Sequence, residues 1–341
     1  MAEVDHPPRV ATLVIGAGSW GTALASLLAA NGQPTTLWGR DRDQIAAMAK
    51  NHRNERYLPG IDLAPSLRFS ADLGESVRWA RDLLLVVPSH VFRATLEQIA
   101  PHLKNNARLI WATKGFERGT ARLSHQIVRE VLGEGYPTAV ISGPTFAAEV
   151  ARGMPTALTV AATDEAFASE LANRLHNKTF RAYTSGDVIG VEVGGAVKNA
   201  LAIAAGISDG LGFGANARAA LITRGLTEVM RLGVALGGER ETFMGLTGLG
   251  DLILTCTDDQ SRNRRFGLAL GKGASVEAAR QSIHQVVEGI HAAEEATRLA
   301  RRLDIEMPIT EQVYRVVSGE CTPREAVSLL LHRQPKPEIN A

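Results

Sequence analysis

Lys198 is the residue whose surroundings point most directly to chemistry. It lies inside the otherwise apolar run Val193–Leu201, where an ammonium group is costly to bury unless it is paired or neutral. Burial and nearby positive charge lower the pKa of a lysine, which allows it to act as a general acid or base. The alternative is a surface lysine whose charged end reaches solvent. The sequence therefore predicts Lys198 as a candidate catalytic residue.

Polar groups also follow two apolar runs that are typical of buried strands. Lys114 comes directly after Arg108–Thr113, and Gly143 and Thr145 come directly after Ala139–Ser142. Ligands of parallel α/β sheets bind outside the carboxyl ends of the strands. We therefore expect the Lys114 ammonium and the N–H groups near Gly143 to face a cofactor and an anionic substrate. A plain surface turn is the alternative for the Gly143 segment.

A third segment combines an acid with groups that suit a phosphate. Asp251 and Thr255 are four residues apart and would share one face of a helix. Ser261, Arg262 and Asn263 offer hydroxyl, guanidinium and amide donors to an anion. A solvated run of arginines is the alternative. The segment predicts a site for a phosphorylated small molecule.

A glycine-rich turn near the N-terminus has the spacing of a dinucleotide-binding loop. Gly16, Gly18 and Gly21 stand between the apolar run Arg9–Ile15 and the helix-like run Thr22–Ala30. In such a loop the first glycine permits a tight turn, the second lets the backbone approach a pyrophosphate, and the third lets the helix pack closely on the sheet. The helix N-terminus attracts the phosphates. A purely structural turn is the alternative.

The residues after the second predicted strand bear on the choice of coenzyme. Enzymes that use NAD usually place an acid about 20 residues after the glycine fingerprint, where it binds the ribose 2′-hydroxyl. Here Arg40 occupies that region and suits a 2′-phosphate, which favours NADPH, while Asp41 leaves NAD possible. A solvated Arg–Asp pair in a loop is the alternative.

The order of apolar runs predicts an α/β half followed by a helical half. Several candidate strands are apolar at successive positions, as in parallel sheets covered on both faces, and the intervals have room for helices. Beyond about Asp187 no clear strand occurs, and Thr322 and Pro323 are typical of the start of a last helix. We expect a Rossmann-like, doubly wound, mostly parallel sheet over residues 1–187 and an all-helical domain over 188–335. The candidate strands are Arg9–Ile15, Thr35–Trp38, Leu83–Val87, Arg108–Thr113, Ala139–Ser142, Ala157–Ala161 and Arg181–Tyr183.

The composition excludes several other classes of protein. Among 341 residues, 37 Lys and Arg nearly balance 36 Asp and Glu, which argues against a nucleic-acid partner. Two cysteines form no disulfide framework, and the nine histidines show no metal-ligand spacing, so we expect no metal. Met1–Pro8 lacks the apolar core of a signal peptide, and runs such as Leu83–Val87 are too short to span a bilayer. We expect a soluble cytoplasmic protein that does not insert into membranes.

In combination the motifs resemble those of the NAD(P)-dependent glycerol-3-phosphate dehydrogenases of the bacterial biosynthetic type. Six ordered motifs are far more specific than any one of them, and they extend over most of the chain. They are GAGSWG at Gly16–Gly21, ATKGF at Ala112–Phe116, SGPTFA at Ser142–Ala147, VGGAVKN at Val193–Asn199, GLGDLILTCT at Gly248–Thr257 and SRNRRFG at Ser261–Gly267.

This resemblance implies a homodimeric enzyme that reduces dihydroxyacetone phosphate to sn-glycerol 3-phosphate with NAD(P)H, for phospholipid synthesis. In the family the lysine that matches Lys198 is the general acid or base, and the one that matches Lys114 contacts both substrate and nicotinamide. The matching substrate positions are Lys114, Gly143, Thr145, Lys198, Asp251, Ser261, Arg262 and Asn263. The matching coenzyme positions are Gly16, Gly18, Ser19, Trp20, Gly21, Arg40, Lys114, Ala147, Arg262, Val286 and Glu288.

Two other functions compete with this interpretation. The 6-phosphogluconate and 3-hydroxyacid dehydrogenases also carry a lysine in a glycine-rich helix, with an asparagine four residues further on. Here Asn199 follows Lys198 directly and Ala202 stands four residues beyond it, which counts against that class. A non-catalytic NADPH-binding sensor should lack the combination of Lys114, Lys198 and Asp251.

Overall fold

The first half of the chain forms one eight-stranded sheet. The computed structural model describes residues 10–283 and 286–334. The spatial order of the strands is β3–β2–β1–β4–β5–β6–β7–β8, and neighbours are parallel except β6 and β7. The expected mostly parallel, doubly wound sheet is confirmed. Its strands are β1 (Thr12–Ile15), β2 (Thr35–Trp38), β3 (Arg68–Ser70), β4 (Asp82–Leu85), β5 (Arg108–Trp111), β6 (Thr138–Ser142), β7 (Thr156–Ala161) and β8 (Phe180–Ser185).

One strand escaped the sequence analysis, and others have different ends. β3 has only three residues at the sheet edge and is partly exposed, so no buried apolar run marks it. β4 ends two residues before the predicted Val87, and Val86 and Val87 lie beside Gly16 of the glycine loop. Arg9 of the first predicted strand, the segment Met1–Pro8 and the residues after Gln334 lie outside the described residues.

Helices alternate with the strands in the first half and form the whole of the second. After Ser185 the described residues contain no strand, so the predicted helical half is confirmed. The α-helices are α1 (Ser19–Ala30), α2 (Arg42–Asn51), α3 (Leu73–Trp79), α4 (Ser89–Ile99), α5 (Ser124–Leu132), α6 (Ala147–Ala151), α7 (Glu165–Leu175), α8 (Val188–Gly210), α9 (Ala215–Ala235), α10 (Arg240–Phe243), α11 (Asp251–Thr257), α12 (Arg262–Gly271), α13 (Val276–Ile283), α14 (Glu288–Arg302), α15 (Pro308–Val317) and α16 (Pro323–Leu331). A 3₁₀ turn spans Ala100–His102 and a π turn spans Leu246–Gly250.

Helix α8 is the centre of the helical half. It is long and apolar enough to cross a membrane by length and composition, but 89 % of its most apolar window is buried inside the protein. A helix that is apolar all round is expected in such a core. Helices α9, α11, α12 and α14 pack around it. Any polar group on α8 must therefore find its partner within the protein.

Glycines bring α8 and α12 into backbone contact. Gly206 and Gly210 on α8 lie against the backbone of α12, and Gly267 and Gly271 on α12 lie against the backbone of α8. A Cβ atom added at Gly267 would lie 2.1 Å from the carbonyl oxygen of Ile203 on α8, so no larger side chain fits without movement. This contact fixes the start of α12, which carries Ser261, Arg262 and Asn263, relative to Lys198.

We expect the change Gly267→Ala to lower the free energy of unfolding. Overpacking of a tight contact typically costs about 1–3 kcal/mol, which exceeds the gain in helix propensity of about 1 kcal/mol. Gly186→Ala is the matched control, because a Cβ atom there meets no atom within 4 Å. Urea unfolding followed by circular dichroism measures both variants. Equal stability of the two would contradict the close approach of α8 and α12.

Candidate active site

The glycine loop joins β1 to α1 at the carboxyl end of the sheet. Gly16 has φ +123°, and a Cβ atom there would lie 2.3 Å from the carbonyl oxygen of Val86. A Cβ atom at Gly21 would lie 1.9 Å from the Gly16 oxygen, whereas one at Gly18 would meet no protein atom within 4 Å. Helix α1 begins at Ser19 without a side-chain cap. Open space before an uncapped helix N-terminus fits a pyrophosphate.

Arg40 and Asp41 have different surroundings at the end of β2. The Asp41 carboxylate accepts the Gln44 N–H at 3.1 Å as the N-cap of α2, and it pairs with Arg56 at 3.2 Å. The Arg40 side chain is exposed, two residues after the end of β2. Both oxygens of Asp41 are therefore engaged, whereas the Arg40 side chain is exposed at the end of β2.

A buried carboxylate joins the two predicted lysines. Asp251 Oδ1 accepts from Lys198 Nζ at 2.5 Å, and its Oδ2 accepts from Lys114 Nζ at 2.7 Å. Lys198 also donates to Thr255 Oγ1 at 3.1 Å, and Lys114 donates to the Gly143 carbonyl at 3.2 Å. Asp251 is only 1 % exposed and Lys198 only 8 %. The alternative of a surface lysine at position 198 is therefore wrong.

Three separate elements bring these groups together. Lys114 follows β5, Lys198 lies midway along α8, and Asp251 is the first residue of α11. Thr255 lies one turn further along α11, on the face that the four-residue spacing predicts. The stem of Lys114 passes close to α8 at Gly195, where an added Cβ atom would lie 3.4 Å from Lys114 Cγ. The small residues of α8 thus allow the two ammonium groups to share one carboxylate.

Burial and charge set the protonation of this cluster. Burial lowers the pKa of Lys198 to about 8, with Asp251 opposing the shift and Lys114 adding to it. Burial alone would raise the pKa of Asp251, but the ammonium groups of Lys114 and Lys198 outweigh it and lower that pKa. The carboxylate therefore stays ionised. With both lysines protonated the cluster carries a net positive charge, which suits an anionic ligand.

The predicted phosphate-binding residues lie at the start of α12. Ser261 is the N-cap, and its Oγ accepts the Arg264 N–H at 3.2 Å. Asn263 Nδ2 donates to Asn199 Oδ1 at 2.9 Å, while its Oδ1 accepts the Gly289 N–H at 2.9 Å. These contacts tie α12 to α8 and α14. The Asn199 partnership could not be predicted from the sequence, since 64 residues separate the two amides.

The remaining predicted coenzyme positions have mixed environments. Glu288 begins α14 and is partly buried, which raises the pKa of its carboxyl, and the charges of Arg262, Lys198 and Lys114 oppose that shift. Val286 is 46 % exposed. The other predicted positions follow strands or begin helices: Trp20 is in the first turn of α1, Ala147 begins α6, and Thr145 Oγ1 donates to the Gly143 carbonyl at 3.2 Å.

No metal-ligand cluster is found within residues 10–283 and 286–334, where no three His, Cys, Asp or Glu side chains are grouped to hold an ion. Cys256 is also buried. Burial raises the pKa of its thiol to about 12, although the positive charge of Lys198 opposes the shift. A thiol with that pKa stays protonated and is not a nucleophile at neutral pH. Lys198, whose pKa is lowered to about 8, is better suited to proton transfer than this thiol.

Comparison with known proteins agrees with the fold and the motifs. Residues 11–168 match the family model for the N-terminal part of NAD-dependent glycerol-3-phosphate dehydrogenase, and residues 187–328 match the model for its C-terminal part. The glycerol-3-phosphate dehydrogenase (NAD(P)+) of Nitrosococcus oceani is 59 % identical over 96 % of this chain and 95 % of its own length. Its counterpart from Mannheimia succiniciproducens is 55 % identical over 95 % and 97 %.

A solved structure shows the same architecture. The crystal structure of glycerol-3-phosphate dehydrogenase from Coxiella burnetii superposes with a TM-score of 0.91 at 48 % identity, covering 95 % of this chain and 99 % of that one. The fold, the glycine loop and these matches define an oxidoreductase of the NAD(P)-dependent class. The chain belongs to the NAD-dependent glycerol-3-phosphate dehydrogenase family.

Two substitutions are expected to shift the titration of Lys198 in opposite directions. Lys114→Met removes a neighbouring positive charge and raises the pKa of Lys198 above about 8, whereas Asp251→Asn removes the stabilising carboxylate and lowers it. Nitrogen NMR of protein labelled at lysine measures both titrations. A shift of the same sign in both variants would contradict the shared-carboxylate arrangement.

Proposed function

We propose that this protein reduces dihydroxyacetone phosphate to sn-glycerol 3-phosphate with NADPH or NADH, reversibly, for glycerophospholipid synthesis. The observation that carries the proposal is the buried Asp251 carboxylate between Lys114 and Lys198, at the carboxyl end of the sheet. Carbonyl reduction needs such a site, because negative charge develops on the substrate oxygen and must be stabilised and protonated. Residues 1–187 would hold the coenzyme, and residues 188–335 would supply most of the catalytic groups.

The glycine loop and its surroundings are the proposed coenzyme site. The first turn of α1, at Ser19 and Trp20, would take the pyrophosphate, because it has no side-chain cap and open space lies over Gly18. Arg40 would pair with the 2′-phosphate of NADPH, since Asp41 is already engaged with other groups. The remaining proposed coenzyme contacts are Gly16, Gly21, Lys114, Ala147, Arg262, Val286 and Glu288.

The substrate phosphate is assigned to the start of α12. Arg262 is the first residue of this helix, where the guanidinium and the helix dipole both favour an anion. Asn263 retains one amide hydrogen beyond its bond to Asn199, and the Ser261 hydroxyl can still donate. Gly143 and Thr145, at the end of β6, would border the same space.

Lys198 is the proposed general acid. When bound, the reduced nicotinamide supplies a hydride to the carbonyl carbon of the substrate. The Lys198 ammonium stabilises the charge on the carbonyl oxygen and transfers a proton to it, while Lys114 adds a second positive charge. Asp251 orients both ammonium groups through its two oxygens. A pKa of about 8 keeps Lys198 largely protonated at neutral pH, yet within reach of proton release.

We also infer a homodimer that works in the cytoplasm without membrane insertion or nucleic-acid binding. Apolar side chains such as Met244 and Leu331 are exposed in the single chain, at 56 % and 77 %, and association would remove such groups from water. Both cysteines are free thiols, as is usual in a reducing compartment. The near-neutral net charge offers no strong attraction to nucleic acid. Light scattering of the purified protein measures the oligomeric state.

Oxidation of NADPH in the presence of dihydroxyacetone phosphate tests the proposed reaction. We expect rapid loss of absorbance with this substrate and far slower loss with unphosphorylated dihydroxyacetone, which lacks the anion for α12. NADH replaces NADPH in a parallel assay. Coenzyme binding without turnover would instead support the non-catalytic sensor or the hydroxyacid dehydrogenase alternative.

The change Lys198→Met is expected to abolish most turnover while it preserves NADPH binding. Removal of a general acid typically costs about 10²–10⁴-fold in rate, and Lys198 does not belong to the glycine loop. Lys104→Met, at an exposed position, is the matched control. In the native protein the reduction rate should fall above about pH 8 as Lys198 loses its proton. A near-normal rate for the Lys198 variant would exclude it as the acid.

The change Arg40→Ala is expected to weaken NADPH binding much more than NADH binding, because only NADPH carries the 2′-phosphate. Fluorescence titration of the reduced coenzymes gives both dissociation constants. Lys50→Ala, on the exposed face of α2, controls for a general loss of positive charge. Equal losses of affinity for the two coenzymes would indicate instead that Arg40 is a solvated loop residue.

A further inference from the structure

Besides Asp251 on α11, a buried carboxylate on α8 contacts the sheet half without contacting the lysines. Glu192 is 8 % exposed and lies six residues before Lys198. Its Oε1 accepts from Trp111 Nε1 at 2.9 Å and from the His125 backbone N–H at 2.9 Å. Its Oε2 lies 2.5 Å from His125 Nδ1. Three donors thus satisfy a charge that would otherwise be costly to bury.

The partners of Glu192 stand at the two ends of the segment that carries Lys114. Trp111 is the last residue of β5, and His125 is the second residue of α5. The chain leaves the sheet after Trp111, passes through Lys114 and enters α5 at His125. One carboxylate therefore fixes both ends of this connection to the helix that carries Lys198.

Other contacts along the same segment show where else it is held. Near its middle, the Gly119 N–H donates to Glu295 Oε1 at 2.7 Å, and its carbonyl accepts from Arg298 Nη1 at 2.8 Å. These two residues belong to α14, whereas Glu192 is on the same helix as Lys198. The hydrogen bonds of Glu192 tie the ends of the Lys114 segment directly to α8.

We propose that Glu192 is a positioning residue, which sets the distance between Lys114 and Lys198 by bridging Trp111 and His125. The expected effect on kcat rests on the proposed reductase function, whereas the expected effect on the Lys114 segment does not. Without the bridge, both ends of the segment lose their hydrogen bonds to α8, so Lys114 can shift relative to Lys198 although its own bonds to Asp251 and to the Gly143 carbonyl remain. Misplacement of a catalytic group by about 1 Å can cost about 100-fold in rate.

The change Glu192→Ala is expected to lower kcat for dihydroxyacetone phosphate by about 100-fold, with the NADPH dissociation constant within about twofold of the native value. A shift of Lys114 away from Lys198 weakens a charge effect that lowers the pKa of Lys198, so the fall of kcat at high pH should move to higher pH. Glu192→Gln keeps an acceptor for Trp111 and for the His125 N–H, and it should restore most of the activity.

The matched control is Glu228→Ala, which removes a buried carboxylate that does not contact the lysine cluster. Glu228 is 2 % exposed and accepts the backbone N–H groups of Ile309 and Thr310 at 2.6 and 3.0 Å, at the start of α15. The Glu228→Ala variant should lose stability without a shift in the pH profile of kcat. Should Glu192→Ala fail to fold, His125→Ala removes the ring contact alone and should shift the pH profile in the same direction.

Hydrogen exchange of residues 111–125 gives a readout that does not need activity. Faster exchange there in Glu192→Ala, but not in Glu228→Ala, is the expected result. Unchanged exchange in this segment, or a kcat within about twofold of native, would overturn the proposal. If the native protein fails to reduce dihydroxyacetone phosphate, the proposed function is wrong, and the exchange result still decides whether Glu192 holds the segment.

Discussion

The structure depends on one buried carboxylate, that of Asp251, which accepts hydrogen bonds from the ammonium groups of Lys114 and Lys198. Lys198 lies in the core helix, where an unpaired charge is too costly to tolerate, and Lys114 would repel it at close range. Asp251 accepts from both and thereby makes a doubly cationic pocket compatible with burial. The same contact holds the end of β5, the middle of α8 and the start of α11 together. The site is therefore built at the contact between the two halves.

Helix α8 meets two opposing demands. Its small apolar residues let α12 approach to backbone contact, which brings the proposed phosphate site near the lysines. Yet it also carries Glu192 and Lys198, which are charged and buried on the same helix. Each finds its partners on an element from elsewhere in the chain, so the polar groups specify how the core helix is oriented, while the glycines specify how close its neighbours come.

Local chemistry was predictable from the sequence, and long-range pairing was not. The glycine loop and the alignment of Asp251 with Thr255 follow from spacing within a few residues, and the burial of Lys198 follows from its apolar neighbours. The Asn263–Asn199 bond and the Glu192–His125 contact join residues more than sixty positions apart, so no local pattern indicates them. Strand β3 was missed because an exposed edge strand needs no apolar run.

The two proposed recognition tasks are carried out in opposite environments. The proposed carbonyl chemistry depends on buried lysines. Their charges act in a low-dielectric interior, so small displacements change the rate strongly. The proposed choice of coenzyme depends on Arg40, which is exposed, so water and salt screen its charge. The exposed guanidinium would discriminate by contacting a phosphate that NADPH has and NADH lacks, without involving the buried cluster. If Arg40 has the proposed role, coenzyme preference can vary by surface substitution while the buried cluster is preserved.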